Sequence, residues 1–370
     1  MNIPANRLDR PFQLHSQEYE EAALRVLRSG WYILGDEVSR FEKEFATYIG
    51  TDHCVGLASG LDALWIAFRL LGIGQGDEVI VQANTYIASV MGITMNGAVP
   101  VFVEPDKYYG IDASKIEEAI TEKTKAILAV HLYGQACDME SVTAIAENHG
   151  LYVVEDCAQS HGAMQNGKMT GAFGDVGCFS FYPSKNLGAF GDAGAVTVNS
   201  DELAEKFCVF RNYGSERRYY NRVAGTNSRL DELQAAMLRV RLNHLDEMNE
   251  EREKLCRRYL NEIKNPALEL PQIRAGCDSV WHQFVVRLSD FESREKFIEY
   301  LKSNGIGSII HYPIPPHLSE AYGCFGLKKG SFPITEAYAD TVLSLPLYNG
   351  MTETEQKYVI DTVNEFGIRK

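Results

Sequence analysis

A chain of 370 residues, 45% hydrophobic and 23% charged, is long enough for two domains and has an ordinary soluble, globular composition. Its net charge of −14 argues against a nucleic-acid partner, and no uninterrupted apolar stretch is long enough to span a bilayer. The opening residues, Met1-Asn2-Ile3-Pro4-Ala5-Asn6-Arg7, lack the apolar core of a secretory signal, so a cytoplasmic address is expected.

Strand and helix signals alternate from about residue 50 to residue 200. After the apolar run from Cys54 to Leu57, strands are predicted at 78–82, 99–104, 126–132, 152–155, 177–182 and 195–198. Helices are predicted at 60–71, 86–96, 114–120 and 139–149. Short apolar strands separated by amphipathic helices predict an α/β fold, a mostly parallel sheet flanked by helices on both faces. The large domain is expected to cover residues 1–230. From Asp231 to Ile263 the chain is rich in Leu, Met, Glu, Arg and Lys and reads as one long helix or a pair. A strand at 281–288, a helix at 293–304, a loop rich in proline and histidine at 310–317 and a final helix at 353–366 complete a smaller C-terminal α+β domain, residues 231–370.

The eight cysteines are scattered without a Cys-x-x-Cys pair, against both a zinc site and a disulfide framework. Cys54, Cys157 and Cys178 sit in apolar runs and read as small core residues. His311 and His317 could pair on a metal, but no acid or cysteine lies near them in sequence, so no metal is expected.

The chemistry centres on Lys185, in Phe179-Ser180-Phe181-Tyr182-Pro183-Ser184-Lys185-Asn186, just after an apolar strand and ahead of a glycine-rich loop. An earlier strand ends in Asp156. Ligands of parallel sheets gather at the carboxyl ends of strands. An acid there, with a lone half-buried lysine, suits pyridoxal phosphate: the amine binds the aldehyde as a Schiff base, and the carboxylate keeps the pyridine nitrogen protonated. Ser59-Gly60-Leu61 opens a helix whose free amides form a phosphate cradle, and Ser180 could donate to the same phosphate. Ser-Gly before a helix is also a plain N-cap, and Asp62 in the first turn would repel a phosphate unless its side chain faces away. Tyr86, just beyond a strand end, could stack on a flat ring, and Gln159 could meet its phenolic oxygen. His161 either orients Asp156 or is a structural histidine. Five arginines between Arg211 and Arg229 form the strongly basic segment of an acidic chain, fit for a diphosphate or simply a solvated loop.

Taken together these segments resemble the DegT/DnrJ/EryC1/StrS sugar aminotransferases, of the aspartate aminotransferase-like fold-type I. The resemblance runs from Gly30-Trp31-Tyr32-Ile33-Leu34-Gly35 to the last helix. It is most specific in Glu155-Asp156-Cys157-Ala158-Gln159, in Phe181-Tyr182-Pro183-Ser184-Lys185-Asn186-Leu187-Gly188 and in Gly191-Asp192-Ala193-Gly194. Within the family, Ala83-Asn84-Thr85-Tyr86, His131-Leu132-Tyr133-Gly134-Gln135 and His311-Tyr312-Pro313 look most like 3-aminotransferases of dTDP-linked 3-keto-6-deoxyhexoses.

The resemblance implies that Lys185 holds pyridoxal 5'-phosphate and shuttles the proton, with pyridoxamine phosphate as the alternate form, and that Asp156 pairs with the ring nitrogen. Gln159 would meet the ring oxygen, Tyr86 the ring face, and Ser59, Gly60, Leu61 and Ser180 the phosphate. Asn227 would reach that phosphate from the neighbouring subunit, which implies a homodimer with shared active sites. Tyr32, Ile33, Gly35, Tyr182, Arg211, Tyr213, Arg218, His311 and Tyr312 would line a nucleotide-sugar pocket. Leu61 departs from the threonine of many relatives and forgoes one hydroxyl contact. The amino donor would be L-glutamate or glutamine and the acceptor a nucleotide-linked ketosugar. The keto position (C3 or C4) and the nucleotide stay open. A related sugar 3-dehydratase carries histidine where Lys185 stands. A non-catalytic regulator is opposed by the intact set of Asp156, Gln159, Ser180 and Lys185.

Overall fold

The computed structural model describes residues 1–367. Seven strands form the main sheet: β1 (His53–Leu57), β2 (Glu78–Gln82), β3 (Val99–Val103), β4 (Thr124–Val130), β5 (Tyr152–Asp156), β6 (Val176–Ser180) and β7 (Gly194–Val198). Their order is β1-β7-β6-β5-β4-β2-β3. Only β7 runs against its neighbours; the pairs from β6 to β3 are parallel. The sheet is therefore mostly parallel, as the alternation of elements predicts. Its strands read as continuous apolar runs because helices cover both faces: every residue of β4 but Lys125 is buried.

Two helices matter most for the site, α1 (Gly60–Leu70) after β1 and α2 (Ile87–Thr94) after β2. Both start at the carboxyl ends of strands. The helix expected at 114–120 is instead two single 3₁₀ turns, Ala113–Lys115 and Glu117–Ala119. Asp112 caps the first turn through the Ser114 amide, and Ile116 between the two turns is the fully buried anchor, too short a contact to propagate a helix.

Helices Ser16–Ser29 and Asp36–Ile49 precede the sheet, each stopped by a glycine in the left-handed conformation, Gly30 and Gly50. The helical stretch after Asp231 is a pair, α3 (Glu232–Asn243) and α4 (Leu245–Glu262), parted at His244. Ala235 and Leu238 of α3 pack with Phe41, Phe45, Phe179 and Phe181 in the first core. Leu255, Cys256 and Tyr259 of α4 join Phe284, Phe297 and Val359 in the second, and Ile3 is threaded into that core from the other end of the chain. The passage between cores thus falls within α4 rather than at residue 231. The second core is built on an antiparallel pair, β8 (Phe284–Arg287) and β9 (Val342–Leu345). Among the described residues no helix is long and apolar enough to cross a membrane.

Candidate active site

A cavity of about 490 Å³ opens at the carboxyl ends of β5 and β6. Ser59, Gly60, Leu61, Tyr86, Asp156, Gln159, Ser180, Tyr182, Lys185, His311 and Tyr312, all singled out in the sequence, line it. Most arrive because a strand has just ended, Asp156 as the last residue of β5 and Ser180 as the last of β6, whereas His311 and Tyr312 come in on a loop of the C-terminal region.

Lys185 stands in a tight turn closed by its own amide on the Tyr182 carbonyl, 2.8 Å. The buried Arg241 of α3 clamps the next residues from behind, donating from Nε to the Asn186 carbonyl (3.1 Å) and from Nη1 to that of Gly188 (3.2 Å). The amine is half-buried. Burial lowers its pKa from 10.5 to about 8, against the opposing pull of Asp156.

The loop at the start of α1 is drawn tightly against two strands. Ser59 caps the helix, its Oγ accepting from the Asp62 amide at 3.1 Å. A Cβ on Gly60 would come within 2.5 Å of Ser180 Cβ, and one on Gly194 within 2.3 Å of the Ser59 carbonyl carbon. With the Asp62 amide on Ser59 Oγ and the Ala63 amide on the Ser59 carbonyl, the amides of Gly60 and Leu61, both in the cavity lining, are the free donors of the first turn. Asp62 does not oppose an anion there. Its carboxylate turns away to accept from Trp65 Nε1 (2.8 Å) and Ser228 Oγ (2.7 Å).

Asp156 is buried and held at both oxygens. Ser89 Oγ on α2 donates to Oδ2 at 2.7 Å, and the Ala158 amide to Oδ1 at 3.2 Å. Gln159 accepts from the Tyr133 amide at 2.6 Å and donates to the Tyr312 hydroxyl at 3.0 Å. The Tyr86 and Tyr312 rings lie 5.0 Å apart, two aromatic walls above the acid. His161 does not orient Asp156: its ring lies beside Phe179 and Phe181, with neither nitrogen hydrogen-bonded among the described residues. Burial first, then the charge of Lys185, lowers its pKa to about 3, so it stays neutral. Burial likewise takes His311 down to about 4. Behind β5, Glu155 accepts from the amides of Gly171, Phe173 and Gly174 and from His131, fixing the strand end that carries Asp156. His311 and His317 do not converge on a metal: His311 pairs with Ser344 and His317 with Glu336.

Other expected residues lie outside this cavity. Arg211 is turned inward, its guanidinium buried on Glu42 and the Gly56 carbonyl; it braces β1 and does not line the cavity. Arg218 packs over Tyr219 and Tyr213 lies under Arg229, both on an exposed hairpin segment. Ile33 and Asn227 share an adjoining cleft with Arg229 and Asp192, the last of which borders both spaces. Gly35 borders another, with its amide on Glu232, and Tyr32 is largely exposed. Ser89, Ser184, Asp192, His282 and Gln283 also line the main cavity and were missed. For Ser89 the signal was available, one helical turn beyond Tyr86 at the start of a helix; for His282 and Gln283, remote in sequence, there was none.

An amide cradle for a phosphate, and a buried acid, a lysine of lowered pKa and an aromatic wall around the same cavity fit pyridoxal phosphate, and define a fold-type I pyridoxal phosphate site. The chain belongs to the DegT/DnrJ/EryC1/StrS aminotransferase family, whose profile matches residues 13–364, and is a pyridoxal-phosphate-dependent sugar aminotransferase. It is 52% identical to the dTDP-3-amino-3,6-dideoxy-alpha-D-galactopyranose transaminase of Aneurinibacillus thermoaerophilus over 95% of this chain and 96% of that one. The structure matches that of Streptomyces venezuelae DesV in complex with a ketimine intermediate, with a TM-score of 0.97, 46% identity and coverage of 100% and 99% of the two chains. It also matches Bacillus subtilis NtdA with bound cofactor PMP, with a TM-score of 0.91, 32% identity and coverage of 98% and 84%.

Proposed function

We propose that this enzyme transfers the amino group of L-glutamate to the C3 carbonyl of a dTDP-linked 3-keto-6-deoxyhexose, giving a 3-aminosugar, and works as a homodimer with shared active sites. Similarity to a dTDP-3-amino-sugar transaminase over nearly the whole chain supports the substrate. The observation that carries the reading is the cavity itself, in which Lys185 and Asp156 face one space beside the glycine-lined cradle.

Bound pyridoxal phosphate supplies an electron-accepting ring and a carbon that carries the amino group between substrates. The first amides of α1 and the Ser180 hydroxyl would hold its phosphate, Asp156 would keep its ring nitrogen protonated, and Tyr86 would cover its face. Lys185 Nζ would take the proton from the α-carbon of L-glutamate and later deliver one to C3 of the sugar. With a pKa of about 8, roughly a tenth of such amines are neutral at pH 7, against fewer than one in a thousand for a lysine in water. Asn227 and Arg218 lie outside their own chain's cavity, a position that suits residues serving a neighbouring subunit's phosphate and diphosphate.

The test is to supply the holoenzyme with L-glutamate and a panel of dTDP- and UDP-linked 3-keto and 4-keto sugars and to follow product mass. Amination of the dTDP-linked 3-keto sugar at the highest kcat/KM is expected. Preference for a 4-keto or UDP-linked sugar would overturn the substrate while leaving the chemistry. Sedimentation of the holoenzyme as a monomer at working concentration would remove the shared site.

A further inference from the structure

His282 forms part of the wall of the main cavity and of a smaller one, about 130 Å³, that also touches Ser184, Gln283 and His311. A relay of amides fixes its tautomer. Asn249 Nδ2 donates to the His161 carbonyl at 3.0 Å, and Asn186 Nδ2 donates to the Val280 carbonyl at 2.8 Å and to Asn249 Oδ1 at 2.9 Å. Carbonyl oxygens only accept, so both amides can be oriented in one way. Asn186 Oδ1 is then an acceptor, and His282 Nδ1, 3.0 Å away, must carry the hydrogen. The other nitrogen, Nε2, is left as a bare acceptor with no protein partner among the described residues. Burial, reinforced by Lys185 and Arg252, drives the His282 pKa well below 6.5. The ring is neutral at working pH and a poor base.

The surroundings narrow what can meet that acceptor. The smaller cavity has no lysine or arginine in its lining, so an amino acid's carboxylates would find no cation there. It offers neutral groups instead, and the neighbouring Gln283 carries a buried Oε1 without a hydrogen-bond partner. Neutral acceptors with spare capacity suit the hydroxyl groups of an uncharged ring.

We propose that His282 is a specificity-determining residue, whose Nε2 accepts a hydrogen bond from a hydroxyl of the substrate's sugar ring, with Gln283 beside it. The inference rests on the nucleotide-sugar substrate proposed above. It assigns His282 neither to the amino donor nor to proton transfer.

His282→Asn tests it, because the shorter amide can still donate to Asn186 but places no acceptor where Nε2 stood. The holoenzyme and the variant would be titrated by calorimetry with dTDP-glucose and, separately, with dTDP, and their visible spectra followed on addition of L-glutamate. The expected result is about a tenfold loss of affinity for dTDP-glucose, the size of one neutral hydrogen bond, with dTDP binding and the response to L-glutamate unchanged. Unchanged affinity for dTDP-glucose, equal losses for both ligands, or a slowed response to L-glutamate would each overturn the assignment. A wild-type protein that binds neither ligand would remove the nucleotide-sugar substrate itself, and the role of His282 with it.

Discussion

The two sides of this active site are made from different materials. On the cofactor side the sheet does the building: Asp156 and Ser180 end adjacent parallel strands, and the Ser59–Gly60 turn is pressed onto Gly194 and Ser180 with no room for a methyl group. Asp156 is buried there, and Ser59, Gly60, Leu61, Ser180 and Lys185 are half-buried. Of the residues proposed for the nucleotide side, Tyr32, Tyr213 and Arg218 are surface residues outside the cavity. A site held by ladder hydrogen bonds and backbone contact tolerates little change, whereas side chains on exposed loops can vary without disturbing the fold. Chemistry and substrate choice are thereby separable, and substitutions on the two sides are expected to fail in different ways.

The largest effect is expected at Lys185. Lys185→Ala removes the only amine that lines the cavity among the described residues. Turnover should fall by roughly a thousandfold or more, while the cradle still takes up the cofactor. Steady-state rates and the spectrum of the cofactor-loaded variant check this together; activity near wild type would break the cofactor side of the comparison. Next comes Gly194→Ala. Its Cβ would meet the Ser59 carbonyl carbon at 2.3 Å, a backbone contact that cannot swing aside. Cofactor affinity should drop more than about tenfold and stability by about 2 kcal/mol or more, read from a cofactor titration and from thermal unfolding.

A pair of arginines sharpens the contrast within one basic segment. Arg211→Ala leaves Glu42 without its cation and should cost about 2–4 kcal/mol of stability, with little change in KM of the nucleotide sugar. Arg218→Ala should alter stability by less than about 0.5 kcal/mol and raise that KM by about tenfold. Thermal melts and steady-state kinetics on both variants separate the two roles. The same loss in both would mean that the loop acts as one piece.

That pair also marks where the sequence stops being readable. Lys185 and Asp156 could be picked out because strand periodicity is local and a strand end is a place. Which arginine of five turns inward could not, since it depends on Glu42 and Gly56, more than 150 residues earlier. The same holds for His282, whose tautomer is set by Asn186 at a separation of 96 residues. The direction of the Asp62 side chain was posed as a question by the sequence and answered by the distant Ser228. Helices Ser16–Ser29 and Asp36–Ile49 are a different case: they are absent from the predicted elements, although Gly30 and Gly50 mark their ends in the sequence. Local pattern placed the cofactor side, and tertiary contact decided the rest.

The smallest effect concerns the amine itself and probes how completely the cofactor side is walled off. A neutral amine reacts with the cofactor aldehyde and an ammonium does not. If burial lowers Lys185 from 10.5 to about 8, its neutral fraction rises about fivefold between pH 7 and pH 8 and levels off above pH 9. The rate of pyridoxal phosphate uptake by cofactor-free enzyme, measured by stopped-flow absorbance, should follow that curve with its midpoint near pH 8. Linkage gives an independent reading with a fixed sign. Between about pH 8 and pH 10.5 the unfolded chain keeps a proton that folded Lys185 has lost, so this group makes the cofactor-free protein more stable as pH rises through that window. Below pH 8 the cost of burying the charge is fully present. Lys185→Met removes the titrating group and should flatten this contribution to the stability curve. An uptake midpoint near pH 10 would place the amine in water, and the cofactor side would then be as open as the loops that carry Arg218 and Asn227.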